Sequence, residues 1–264
     1  MPQTRIALNK QAIVVEHSDP IDAEKIASAL RAAQTALLQS TVNTTKAYAF
    51  SSVRGYLASL APGYIDLLRT SFNLPPPDAA DASRIYGPAL RRILDTVALI
   101  SEALHADRVE IADIEASVLE ANPTAHGYVA KTFGESIAQG LRSYGHDLSA
   151  VKPLANPVVL KLADKTDMLA WYWTHEAGHK FALTVDADSG GQTAYFDGID
   201  RCAERTRLRA TCELLRTAGS PKTVEEMMQD DAFTKKMKPF TSLQLLDNAD
   251  SYAHYVMLQP AKIA

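Results

Sequence analysis

Apolar residues at Ile26, Leu30, Ala33 and Leu37 recur at helical spacing on an Ala-rich background, which puts them on one face of a helix starting near Ile21. Asp22 and Glu24 fall at its N-terminus, where carboxylates suit the helix dipole. A second helical stretch is predicted over about Thr45 to Leu60, stopped by Ala61-Pro62-Gly63. A third, YIDLLRTSFNL, stops at Pro75-Pro76-Pro77. A fourth follows Gly87-Pro88 and repeats Leu90, Ile93, Leu94, Val97 and Ile100. Residues 21–105 are therefore expected to form helix hairpins, and residues 1–20, ending at SDP, a loose lead-in.

The period changes at RVEIADIEAS, where Val109 and Ile111 alternate with polar residues as in a short strand. AHGYVAKTFGESIAQGL, residues 125–141, has glycines at 127, 134 and 140 between apolar pairs and reads as one or two further strands. The next helix is expected from about Asp167 to Leu183, with Thr166 or Asp167 as N-cap. TVDADSGG, residues 184–191, is a carboxylate-rich loop, and helices follow over about Ile199–Thr217 and over TSLQLLDNADSYAHYVMLQ. The expectation is a predominantly helical α+β fold with a small antiparallel or mixed sheet. It forms a single unit over 21–264, with the sheet and the candidate site in 106–264.

The helix over 167–183 carries His175-Glu176-Ala177-Gly178-His179, an H-E-x-x-H pattern. With seven histidines in 264 residues, chance produces it in roughly one such chain in a hundred. Residues i and i+4 share a helical face, so His175 and His179 can offer imidazole nitrogens to one metal. Glu176 then stands beside that metal. An amphipathic helix with packed or solvated histidines is the alternative.

Composition narrows the partners. The chain is 47% hydrophobic with a net charge of −4, and no polybasic arm or acidic tail points to nucleic acid or membrane. The arginines between 201 and 216 are interrupted by Glu204 and Glu213, as on a solvated helix face. No apolar run approaches the ~18 residues of a membrane span. The start lacks the features of a signal peptide, so a cytoplasmic, reducing compartment is expected on synthesis. Cys202 and Cys212, about 15 Å apart if on one helix, are too far apart to bridge and read as inert thiols.

HEAGH, the loop after it, and DNADSYAHYV at 247–256 together resemble the deuterolysin and peptidyl-Lys metalloendopeptidase group, the aspzincins. YGPALRRILDTV (86–97) and HGYVAKTFGESIAQGL (126–141) are weaker echoes, so the resemblance spans about Ile21 to Leu258. It implies a zincin-like core, one Zn2+ held by His175, His179 and an aspartate, and a peptide or protein substrate. Asp188, nine residues beyond His179, matches the family's ligand spacing, and Asp186 is the alternative. The family's Gly-Thr is missing from this loop, and Tyr195 lies seven residues after Asp188 where the family has three. Aligned on Tyr195 instead, the ligand position falls on Gln192.

The resemblance further implies that Glu176 is the general base, that Tyr195 donates a hydrogen bond to the oxyanion, and that Asp250 meets the residue after the cleaved bond. Ala253 stands where the lysine-specific branch has a second carboxylate, so only a mild preference for basic residues is expected. His254 reads as a supporting rather than ligating residue, and His126 and His146 as structural. The functional expectation is a zinc metalloendopeptidase. A zinc-binding relative without turnover and a helical interaction protein with a chance motif are the rivals. A bacterial effector or toxin exported by a dedicated secretion system, with an immunity or secretion partner, is the biological expectation; a cytosolic protease is the alternative.

Overall fold

A computed structural model describes residues 2–51, 55–121, 126–128, 157–187, 221–228, 241–261 and 263. The chain is mixed α+β, with a five-stranded mixed sheet against a predominantly helical layer. It begins with a hairpin, β1 (Gln3–Leu8) and β2 (Gln11–Glu16), paired antiparallel around Asn9, which takes the left-handed conformation at φ 55°. The lead-in expected over residues 1–20 is thus two strands, and the sheet joins the N-terminal segment to the middle of the chain. Ile6, Leu8, Ile13 and Val15 are buried by the strand period. The other partner of β2 is parallel β3 (Arg108–Asp113), almost a hundred residues later, which no local pattern displays.

The sheet order is β1-β2-β3-β5-β4, with β5 (Val158–Leu160) parallel to β3 and β4 (Gly127–Tyr128) antiparallel to β5. Of the region 125–141 read as strands, 125 and 129–141 lie outside the described residues. Alternation assigns the two faces of the sheet. Ile111, Val158 and Leu160 join the main core with the helices, while Ala112 and Val159 pack with Ile114, Val118 and Leu119 around α4 (Ala116–Ala121).

The helical layer differs from the sequence expectation at three joints. α1 runs unbroken over Ala23–Phe50, absorbing the start of the predicted second helix, and Leu57–Ser59 forms a 3-10 turn. The polar run after Leu37 has weak helix propensity, but its hydroxyls bond back to their own helix: Ser40 and Thr41 to the Leu37 carbonyl, Thr44 to that of Ser40. α2 (Pro62–Phe72) ends at Asn73 in the left-handed conformation. α3 (Ala82–Leu104) starts before Gly87-Pro88 and carries Pro88 inside; its first turn is anchored by buried Tyr86, whose hydroxyl donates to the Pro75 carbonyl.

The H-E-x-x-H helix, α5 (Thr166–Ala182), packs on α1, α3, β4 and β5. α6 (Val224–Met228) is short. The C-terminal segment, read as one helix, is two: α7 (Ser242–Leu245) and α8 (Ala249–Met257). Thr241 caps α7 reciprocally with Gln244, and the chain between the two helices serves as a strand-like seam. α8 is tied to α1 and α2 by a buried hydroxyl chain, Thr44 Oγ1 to Tyr255 Oη to Tyr64 Oη at 2.7 and 2.8 Å. No helix among the described residues is long and apolar enough to cross a membrane.

Candidate metal centre

His175, Glu176 and His179 lie on α5 with Glu176 and His175 buried. The helix ends where the chain must double back. Leu183 takes the left-handed conformation at φ 54°, and the N–H groups of Leu183 and Thr184 converge on the Gly178 carbonyl. A Cβ at Gly178 would lie 2.9 Å from Thr184 Oγ1, so the glycine inside HEAGH gives the returning chain its room.

That return brings Asp186 to the histidines. Val185 N–H donates to the Asp247 carbonyl and Ala249 N–H to the Val185 carbonyl, a bridge between Val185 and Asn248. The Asn248 side-chain oxygen accepts from Ala187 N–H at 3.0 Å, and its amide donates to Ser251 Oγ. Arg92 pairs with Asp247 beside this seam. The carboxylate-rich loop is therefore stitched to the Asn-Ala-Asp-Ser-Tyr segment on both sides of Asp186.

The result is a His175, His179, Asp186 cluster whose ligand atoms all lie within 4.8 Å of one another and could hold a metal ion. His175 Nε2 and His179 Nε2 are 3.0 Å apart, and Asp186 Oδ1 is 3.5 and 3.4 Å from them. A tetrahedral ion bound at ordinary nitrogen and oxygen distances separates its ligand atoms by roughly 3.3 Å. The donor set fits that spacing. Asp186 is the most exposed of the three, with 36% of its side chain accessible against 9–11% for the histidines, so the cluster opens to solvent on its side.

The tautomers are set from behind. His179 Nδ1 faces the Thr184 carbonyl at 2.8 Å, which can only accept, so Nδ1 carries the proton. His175 Nδ1 donates to Asp250 Oδ1 at 3.1 Å. Both Nε2 atoms are thereby turned toward one another, and two lone pairs at 3.0 Å require a proton or a cation between them. Burial disfavours the imidazolium of His175. The hydrogen bond to Asp250 and the charges of Glu176, Asp250 and Asp186 outweigh it and raise the pKa to about 9.

The other expected residues are placed as follows. Asp250 is buried behind His175, and its Oδ1 also accepts from Trp171 Nε1 at 3.0 Å. Its carboxylate thus faces the back of the His175 ring. His254 is buried, bonded through Nδ1 to Ser71 Oγ at 2.8 Å, with the Trp171 ring edge-on to it. His126 stacks flat on Tyr172 at 4.4 Å, its Nδ1 3.2 Å from Asp164 Oδ2. Asp188, Tyr195, Gln192, His146 and both cysteines lie outside the described residues; among the described residues, Asp186 is the aspartate that lies beside the two histidines.

Trp171, Thr184 and Asn248 escaped the sequence reading. Trp171 sits one turn before His175 on α5 and could have been suspected; the carbonyl of Thr184 and the seam at Asn248 act through backbone geometry that residue types do not announce. No family model, curated protein or solved structure matches the chain.

Proposed function

We propose that this chain is a zinc-dependent metalloendopeptidase of aspzincin type with a zincin-like core. The observation that carries the reading is the His175, His179, Asp186 cluster with Glu176 on the same helix, between the two histidines in sequence. His175, His179 and Asp186 would hold the zinc, leaving the position open that a catalytic site needs. Bound there, zinc would polarise the scissile carbonyl and lower the pKa of the attacking water.

The residues of the chain supply the rest. Glu176 takes the water's proton and passes it to the leaving amine as the carbon–nitrogen bond breaks. His175 and His179 are held in one tautomer by Asp250 and Thr184, so neither ring must reorganise when a cation arrives. The solvent-facing side at Asp186 is where a peptide enters.

The test combines metal content with turnover. The purified chain should hold one zinc, and Glu176→Gln should keep it while losing ~10²–10⁴-fold in peptide hydrolysis. Zinc at full occupancy with no hydrolysis of any peptide by the native chain would favour a metal-binding module. A chain unable to take up zinc would end the reading altogether.

A further inference from the structure

Strand β4 meets the general base directly. A Cβ built on Gly127 would lie 2.9 Å from Glu176 Cγ, 2.9 Å from Glu176 Oε1 and 2.9 Å from the Val159 carbonyl oxygen. The glycine is not there for its backbone, since its φ falls outside the left-handed region that Gly55 occupies. Gly55 and Gly63 have open space where a side chain would go, and Gly87 has ordinary contact distance. Gly127 is instead pinched between two groups. One is a backbone carbonyl on β5, fixed by the pairing of Gly127 with Leu160 and Tyr128 with Val159. The other is the carboxylate side chain of Glu176, buried in the middle of α5.

We propose that Gly127 is a positioning residue for Glu176: its bare Cα leaves the space in which the carboxylate lies beside the metal ligands, and the strand backbone is the wall that holds it there. This rests on the reading of Glu176 as general base. Because the Val159 carbonyl cannot retreat, any side chain at 127 displaces the carboxylate. The zinc ligands sit elsewhere on α5 and its following loop, so zinc should stay while proton transfer suffers.

A double-mutant cycle tests the contact without relying on activity. In the zinc-loaded protein, Gly127→Ala should lower Tm by about 3–8 °C, as overpacking does in a domain this size. In a Glu176→Ala background the same substitution should cost at most about half as much, because only the Val159 carbonyl is then left in its way. Equal costs in both backgrounds overturn the proposal. If Gly127→Ala fails to fold, folding of the double variant supports it and failure of both overturns it.

Kinetics supply the second readout. Gly127→Ala with full zinc should lose at least tenfold in kcat with KM within about threefold, because the loss falls on a step after binding. Native kcat in that variant, or loss of zinc along with activity, overturns the proposal. If the native chain itself hydrolyses nothing, the protease reading fails, while the Tm cycle still decides whether Gly127 positions Glu176.

Discussion

The two histidines of the cluster are oriented by opposite means. His179 Nδ1 is held by the carbonyl of Thr184, five residues on, at the turn where α5 ends. His175 Nδ1 is held by the Asp250 carboxylate, 75 residues away on α8. The first support is a backbone atom placed by Gly178 and the left-handed Leu183, and forms as soon as the helix terminates. The second exists only when α8 is docked, which in turn needs Tyr255 bonded to Thr44 and Tyr64, and His254 to Ser71. One ring is thus fixed by local chain and the other by the completed fold, so the affinity of a metal held at this cluster would report on tertiary structure.

Removing the remote support breaks that comparison with the largest effect. Asp250→Ala frees His175 Nδ1 and strips Trp171 Nε1 of its acceptor. Losing such an outer partner typically weakens metal binding ~10–100-fold, and the orphaned buried donor costs about 1–3 kcal/mol of stability. Asp250→Asn keeps an acceptor but not the charge and should fall between. Chelator-competition titration and thermal melts check both; native zinc affinity in Asp250→Ala would show that the carboxylate does not orient the ring.

The same carboxylate governs the pH dependence. In the metal-free chain His175 has its pKa raised to about 9, so the proton stays on through neutral pH and must leave when a metal binds. Apparent zinc affinity should therefore rise about tenfold per pH unit from the ordinary histidine range up to about 9, then level. The stability of the metal-free chain has the opposite sign. A raised folded pKa contributes stability fully below the unfolded value near 6.5, and that contribution is lost as pH rises through about 9. Calorimetry in buffers of different ionisation enthalpy should find about one proton released per zinc at pH 7.5, and in Asp250→Ala the levelling should move toward the ordinary histidine pKa.

The same division between local and remote explains what could be read from sequence. The α5 helix, its histidine pair and β3 were legible because each is a periodic pattern over adjacent residues. β1 and β2 were not, because their alternation over Gln3–Glu16 acquires meaning only beside β3. The continuity of α1 through Ser40–Thr44 was hidden by residues that favour breaks in isolation but here bond to their own helix and to Tyr255. The Asn-Ala-Asp-Ser-Tyr segment stands out in the sequence, but two of its contacts do not. Asn248 clamps the loop bearing Asp186 and Asp250 backs His175, and neither task follows from spacing along the chain.

The smallest effect sharpens the local half. Thr184 supports His179 through its carbonyl, which no side-chain replacement removes. Its own hydroxyl is buried and finds no partner among the described residues. Thr184→Val keeps the branched shape, leaves the carbonyl in place and removes an oxygen that had been desolvated without compensation. The hydroxyl oxygen is also the atom that a Cβ at Gly178 would meet, so the exchange puts a methyl in a tight place already filled, without requiring new space. Zinc affinity should stay within about threefold of native, and stability should be unchanged or higher by up to about 1 kcal/mol. Chelator competition and melting of Thr184→Val beside Asp250→Ala test the contrast directly: a comparable loss of zinc in both variants would mean that the Thr184 side chain, not its carbonyl, secures the second histidine.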